Sequence, residues 1–367
     1  MITTHLRTAL GLMSGTSLDG IDAALIRSDG RTRVEPVAAL TRPYDPDFRA
    51  RLRACLGGRG EVAAVERDLT LRHAEIVKAL LKDAGLAAAE VEVIGFHGHT
   101  ILHEPEQQRT WQIGDGALLA VETGIDVVCD MRSRDMTEGG QGAPLASLYH
   151  CALASGLETP LAVLNLGGVG NVTWIGAGPD EVLAFDTGPG NALIDDWVAR
   201  HTGRGFDAEG ALARSGQVHE EVLEALLAHP YFARVPPKSL DRDDFNPAPL
   251  EGLSAADGAA TLTAFTARSV AAGLVHLPAA PKRWLVTGGG RHNPTIMAAL
   301  GACLKVPVAP VESVGWDGDI LEAQAFAYLA LRSRDGLPLT VPGTTGVARP
   351  LTGGTFHESA AHKSATS

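Results

Sequence analysis

The sequence predicts an α/β fold with mixed sheets, built as two halves of similar design. Three observations predict it. Apolar segments of strand length alternate with longer segments of helical spacing. Two strand–turn–strand units with glycine turns open the two halves, one around residues 14–20 and one around residues 167–171. Glycine supplies 42 of the 367 residues, which suits repeated close backbone turns. The length is enough for two or three compact domains.

Residues 8–29 read as two strands joined by the turn Ser14–Gly20, with a further turn at Asp29-Gly30. The first turn carries hydroxyls on Ser14, Thr16 and Ser17, free N–H groups at its glycines, and carboxylates on Asp19 and Asp22. That set suits a phosphate chain and its Mg²⁺; an ordinary hairpin is the alternative. Val34–Leu40 reads as a strand. Residues 61–84 form a helix with Leu69, Ile76, Val77, Leu80 and Leu81 on one face. Val91–Phe96 is a buried strand ending in His97-Gly98-His99-Thr100, with His103 close behind. The histidine spacing fits no zinc pattern, and no cysteine or paired carboxylate accompanies it. A polar cluster at a strand end facing a cleft is therefore expected. Gln112-Ile113-Gly114-Asp115 and the strand Asp126–Asp130 follow. Arg132 and Arg134 precede the loop Gly139-Gly140-Gln141-Gly142-Ala143-Pro144. They could meet an anionic substrate or belong to a solvated charged loop.

The second half opens with Leu161–Trp174, a strand, the turn Gly167-Gly168-Val169-Gly170-Asn171, and a strand. Phe185-Asp186-Thr187-Gly188-Pro189-Gly190-Asn191 is then a strand-to-helix junction with one buried-looking carboxylate, Asp186. Glycines there let the backbone approach a ligand, and the opening N–H groups of the next helix favour anions. A carboxylate so placed can act as a base or can cap the helix. Helices are expected at Asn191–Thr202 and Asp207–Ala228, and a proline-rich insert at 229–253. Ala255–Leu277 reads as a long helix. The strand Trp284–Thr287 ends in Gly288-Gly289-Gly290, which permits flat contact with a planar group such as adenine. A helix at Arg291–Leu304 with Asn293 near its cap, a strand at Val306–Val311 and a helix at Ile320–Arg332 with Glu322 in its first turn complete the pattern. From Thr352 the tail is small and polar, and disorder is expected.

The formal charge of -12 argues against a nucleic-acid groove or an anionic membrane surface. No apolar run is long enough to span a membrane, and Ala9–Met13 is too short for a signal peptide. The cysteines Cys55, Cys129, Cys151 and Cys303 form no C-x-x-C. A cytoplasmic protein is the expectation. A Walker-type loop is absent, since no Gly-Lys pair occurs. Gly168-x-Gly170 lacks the third glycine of a dinucleotide fingerprint.

Taken together, these motifs resemble those of the sugar kinase, heat-shock protein and actin superfamily. Within it the chain resembles the anhydro-N-acetylmuramic acid kinase family over about residues 10–350. The carriers are Met13–Gly20, His97-Gly98, Gln112–Asp115, Gly139–Pro144, Asn165–Gly168, Asp186–Asn191, Pro237-Lys238-Ser239, Gly288–Gly290 and Glu322-Ala323. The resemblance implies a two-lobed, actin-like ATPase (ribonuclease H-like) fold with ATP in an interlobe cleft. The N-terminal lobe would span 1–140, completed by about 318–350. The C-terminal lobe would span 141–317 with its insert at about 229–253, and 352–367 would be a disordered tail. The implied reaction opens a 1,6-anhydro amino sugar with water and phosphorylates O6, giving N-acetylmuramic acid 6-phosphate in cell-wall recycling.

By position in the motifs, Asp186 matches the base. Gly15, Thr16, Ser17, Leu18, Asp19, Gly20, Ile21 and Asp22 match the ATP loop, joined by Gly167 and Gly168, with Gly288, Gly289 and Gly290 on the adenosine side. Asp19 is the candidate for ordering Mg²⁺ through water. Arg134 and Glu322 match sugar-holding residues, and His99 and Asp115 are candidate sugar contacts. A homodimer is consistent with the resemblance. Three departures lie on the sugar side. His99 stands where Gln is common, Ser133 interrupts an arginine run, and Trp316-Asp317 replaces smaller residues. They leave levoglucosan as a rival substrate. A non-catalytic ATP-binding protein of the actin or chaperone type is the rival from another class.

Overall fold

In the computed structural model, which describes residues 5–15, 17–178, 181–240 and 244–359, the chain divides into two units. The first takes residues up to Gly156 together with those from Ile320 onward, and the second is Leu157–Asp319. The strands are β1 (Arg7–Ser14), β2 (Gly20–Ser28), β3 (Val34–Pro43), β4 (Val93–Glu104), β5 (Arg109–Ile113), β6 (Val127–Cys129), β7 (Leu161–Leu166), β8 (Val169–Ile175), β9 (Val182–Pro189), β10 (Trp284–Thr287), β11 (Val308–Pro310) and β12 (Thr355–His357).

The first unit's sheet has the order β12-β6-β4-β1-β2-β3, with β5 paired to β4. β1, β2 and β3 form an antiparallel meander, while β4 joins β1 and β6 joins β4 in parallel. The second unit repeats the plan as β11-β10-β7-β8-β9. Its meander is β7-β8-β9, and β10 and β11 add in parallel. A meander whose first strand takes two successive parallel neighbours, present twice, is the duplicated ribonuclease H-like order of the actin-like ATPase fold. The fold class expected from the sequence is the one observed.

Small residues decide how the first sheet is covered. Gly11 and Gly95 are register partners on β1 and β4. A Cβ on Gly11 would lie 1.8 Å from the Ala323 carbonyl oxygen, and one on Gly95 would lie 2.0 Å from that of Phe326. The helix Leu321–Arg334 therefore rests its backbone directly on the sheet, and its facing residues include Ala323 and Ala327. Alternation sends Leu10, Leu12, Ile94 and Phe96 to the other face. There they share a core with Leu69, Ile76, Val77 and Leu80 of the helix Val62–Ala84. The expected helical stripe is thus the buried one. In the second unit, Gly258 on the helix Ala255–Ala272 leaves room for Trp197, whose ring would sit 2.1 Å from a Cβ there. Trp197 Nε1 donates to the Ala255 carbonyl at 2.9 Å.

Four expectations need correction. The histidine segment does not end a strand, because β4 runs on to Glu104 and folds back on β5. The helix expected over Asp207–Ala228 is broken into Ala211–Ser215 and Glu220–Leu227. Gly216 lies between them, where a Cβ would meet the Ala256 carbonyl oxygen at 2.1 Å. The division into units falls at Gly156 and Ile320 rather than near 140 and 318. The helix Ser147–Leu153 belongs to the first unit, where the Tyr149 hydroxyl donates to Gln324 Oε1 at 2.9 Å. Finally, residues 352–359 are ordered. β12 pairs antiparallel with β6, and Ser359 N donates to Asp126 Oδ1 at 2.9 Å. Residues 360–367 of the expected tail lie outside the described residues. No helix among the described residues is long and apolar enough to cross a membrane.

Candidate active-site residues in the two units

The first unit presents the turn between β1 and β2. Leu18 adopts φ 59° and its N–H donates to the Gly15 carbonyl at 3.1 Å, which tightens the turn. Asp19 is exposed. Its Oδ1 accepts from Ser17 Oγ at 2.7 Å and from Gly20 N at 3.0 Å. Asp22 is half-buried and accepts from Thr41 Oγ1 at 2.6 Å. Leu18 and Ile21 bury their side chains in the core, so only their backbone can meet a ligand. Gly20 has a structural reason of its own: a Cβ there would lie 2.4 Å from the Arg42 carbonyl oxygen across β2 and β3. Gly15 has no such constraint beyond Ser17 Oγ at 3.5 Å. Thr16 lies outside the described residues.

Beneath this turn sits the histidine cluster. Ser14 Oγ is 2.6 Å from the Tyr44 hydroxyl and 2.9 Å from His99 Nδ1. His99 is 0% exposed. It does not face an open cleft, as the sequence suggested; it supports the base of the turn, and Ser14 gives its ring the polar partner that burial demands. His97 is buried too. Its Nδ1 donates to the Gly98 carbonyl at 3.0 Å, and Arg132 Nη2 lies 3.0 Å from its Nε2. Arg132 Nη1 also donates to the Gly142 carbonyl at 2.6 Å, and Gly142 N donates to Asp135 Oδ1 at 2.7 Å. Arg132 therefore holds the glycine-rich loop, a role the sequence left open. Arg134 is exposed and donates to Thr352 Oγ1 at 2.7 Å. Asp115 is the N-cap of the helix Gly116–Thr123, accepting from Leu118 N at 2.9 Å. Glu322 lies exposed in the first turn of the helix Leu321–Arg334.

Burial lowers the pKa of His73, His99 and His150 to about 4. An unfolded histidine titrates near 6.5. Below that pH the unfolded chain binds protons that the folded chain refuses until about pH 4. Stability from these groups is complete at pH 7 and is lost as pH falls from about 6.5 to 4. Each histidine is expected to cost about 1 kcal/mol or more by the end of that window. Thermal unfolding midpoints measured from pH 7.5 to 4.5 should fall accordingly, and a flat profile would contradict this.

In the second unit three glycine turns meet. Gly190 N donates to the Gly168 carbonyl at 2.9 Å and Asn191 N to that of Gly167 at 2.7 Å. Asn191 Nδ2 donates to the Leu166 carbonyl at 2.9 Å. Gly288, at φ 75°, would place a Cβ 2.4 Å from Asn165 Oδ1, and Gly290 would place one 2.6 Å from Leu166 Cβ and 2.9 Å from Asn191 Oδ1. Gly289 is open apart from Asn191 Nδ2 at 3.6 Å. The turns at Gly167-Gly168, Gly188–Gly190 and Gly288–Gly290 thus form one packed group around Leu166 and Asn191. Arg291, whose side chain is 2% exposed, fastens the third turn. Its Nη1 donates to the Gly288 carbonyl at 3.0 Å, while Nε and Nη2 pair with Glu312 at 2.8 Å and Asp319 at 2.9 Å. Sequence reading passed over Arg291, because its partners are brought to it only by the fold.

Asp186 sits on β9 next to this group, 8% exposed. Its N–H donates to the Lys238 carbonyl at 3.1 Å, and its Oδ2 accepts from Leu240 N at 2.8 Å. The Tyr231 hydroxyl donates to its carbonyl at 2.5 Å. The helix Ala192–Thr202 begins at Asn191 with no side-chain cap, so Asp186 is not its capping residue. Among the described residues no group of three or more His, Cys, Asp or Glu could hold a metal ion.

The sequence model of the family described as anhydro-N-acetylmuramic acid kinase matches residues 7–358. A protein of that name from Paramagnetospirillum magneticum is 60% identical over 95% of this chain and 99% of its own. One from Rhodospirillum rubrum is 62% identical over 95% and 93%. One from Zymomonas mobilis is 48% identical over 95% and 99%. With this span and these identities, the chain belongs to the anhydro-N-acetylmuramic acid kinase family.

Proposed function

We propose that this anhydro-sugar kinase takes ATP and 1,6-anhydro-N-acetylmuramic acid as substrates, and that Asp186 is its base. The observation that carries the reading is Asp186 itself. It is a buried carboxylate beside three glycine turns, and it has no capping role to explain it. In the reaction the oxygen of a water molecule bonds to C1 while the C1–O6 bond of the anhydro bridge breaks. Asp186 takes the proton that water loses. O6 bonds to the γ-phosphorus as the bond to the β-phosphate oxygen breaks. The products are N-acetylmuramic acid 6-phosphate and ADP. O6 leaves toward phosphorus, so it needs no proton from an acid, and one carboxylate replaces the usual glycosidase pair.

In the first unit the backbone of Gly15 to Asp22 would hold phosphates; in the second, Gly167, Gly168 and Gly288–Gly290 are the proposed nucleotide-binding turns. Mg²⁺ usually binds through phosphate oxygens, waters and one or two carboxylates. An exposed Asp19 whose Oδ1 is steadied by Ser17 and Gly20 fits that demand, with Asp22 on the same hairpin. When bound there, Mg²⁺ would neutralise phosphate charge. Arg134 would take the lactyl carboxylate, because a guanidinium has five donors and Thr352 uses one. Glu322 would accept from sugar groups. Asp115, exposed beside its helix-capping bond, would contact the sugar directly, whereas His99, as a buried support, would act on it only through the positions of its neighbours.

A coupled assay of ADP release over a small sugar panel tests the substrate. The expected order places 1,6-anhydro-N-acetylmuramic acid first in kcat/KM, levoglucosan well below it, and open N-acetylmuramic acid near background. A higher kcat/KM for levoglucosan or the open sugar would overturn this substrate.

A further inference from the structure

Tyr44 has no part in the roles assigned above, yet it bonds to both limbs of the turn between β1 and β2. It directly follows β3. Its hydroxyl is 2.6 Å from Ser14 Oγ, at the end of β1. Its main-chain N–H donates to the Asp19 carbonyl at 2.9 Å, just before β2 begins. Ser14 Oγ in turn lies 2.9 Å from His99 Nδ1 on β4. Tyr44, Ser14 and His99 are 8%, 1% and 0% exposed, so three polar groups are buried in one row.

Packing alone does not call for this row. The Tyr44 ring belongs to the core of the first unit, with its centroid 5.0 Å from that of Phe48. A phenylalanine would fill the same space without a hydroxyl to bury. Burying a hydroxyl costs free energy, and its hydrogen bond returns little more than that cost. Burial also raises the pKa of Tyr44, so the group stays an uncharged O–H at working pH.

What the row supplies is geometry. Pairing between β1 and β2 stops at Met13 and Asp22. Beyond that point the two limbs of the turn go to different neighbours: Ser14 is in register with His99 of β4, and Gly20 with Pro43 of β3. Tyr44 spans the two limbs, with its hydroxyl on one and its N–H on the other. A buried hydrogen-bonded row of this kind narrows the positions open to the groups it joins.

We propose that Tyr44 is a positioning residue for the nucleotide, a clasp that sets the spacing of the backbone N–H groups of the turn that meet the phosphates of ATP. This rests on the reading of Gly15 to Asp22 as the phosphate turn. A binding loop that loses such a support pays more to become ordered around its ligand, although no contact with the ligand is removed.

The test is the steady-state kinetics of wild type, Tyr44→Phe, Ser14→Ala, the double variant and Gly15→Val. Tyr44→Phe keeps the ring and the N–H bond and loses only the hydroxyl. It should raise KM for ATP about fivefold, the factor that one hydrogen bond of ordinary strength supplies, with kcat and KM for the sugar near wild type. Ser14→Ala should raise KM for ATP at least as much. Adding Tyr44→Phe to Ser14→Ala should then change little, because the bond is already gone. A Tyr44→Phe enzyme with a lower melting temperature and an unaltered KM for ATP would make Tyr44 a packing residue and overturn the proposal. Equal rises in KM for ATP and for the sugar, or additive effects of the two substitutions, would overturn it too. Should Tyr44→Phe not fold, as judged by circular dichroism, Ser14→Ala carries the comparison from the other side of the same bond. Gly15 has open space around it, so the valine of Gly15→Val should obstruct the phosphates. A normal KM for ATP in that variant would instead remove the phosphate turn itself, so the two failures are distinguishable.

Discussion

Asp186→Asn is expected to lower kcat by about 10³-fold while ATP still binds. Asparagine has the same shape as aspartate, and its amide oxygen can accept from Leu240 N as Oδ2 does. The three bonds that tie residues 231–240 to this position therefore persist, and the fold should be unchanged. What disappears is the lone pair basic enough to take a proton from water. A loss confined to kcat, with nucleotide affinity by calorimetry and the melting temperature near wild type, is the signature of a missing base. A variant that turns over normally would remove Asp186 from its role.

The second large effect is expected at Gly288. Its φ of 75° is accessible to glycine at little cost and strained for any other residue. A methyl group would also press within 2.4 Å of Asn165 Oδ1 and 2.7 Å of the Leu166 carbonyl carbon. Gly288→Ala must therefore move the turn that Arg291 fastens through the Gly288 carbonyl. If that turn holds the adenosine side of ATP, KM for ATP should rise about tenfold, the equivalent of about 1.4 kcal/mol. KM for the sugar should change less. A folded Gly288→Ala enzyme with an unaltered KM for ATP would show that the turn does not hold the nucleotide.

Much of the architecture was legible because its signals are local. Glycine turns between apolar segments mark both meanders, and the 3.6-residue stripe on Val62–Ala84 is the face that packs on the sheet. What could not be read depends on distant partners. Histidines at 97 and 99 look like surface residues until Arg132 and Ser14 are folded against them. Thr355–His357 is too short and polar to announce a strand, and it becomes one because β6 offers a free edge. The break at Gly216 reflects the nearby Ala256 carbonyl, which no local pattern records. Of the candidate site residues, the glycine turns and Asp186 stand out from residue type and order. The clamp of Arg291 on Glu312 and Asp319 was not, because ion pairs across loops have no periodicity.

In the proposed reaction, the proton taken by Asp186 belongs to a water molecule whose oxygen stays on the sugar. Running the reaction in ¹⁸O-labelled water, with mass spectrometry of the phosphorylated product, tests this most directly. Label in the C1 hydroxyl and none in the phosphate is the predicted outcome. A phosphorylated sugar formed without label at C1 would contradict it, for the bridge would then have opened by some route other than attack of water.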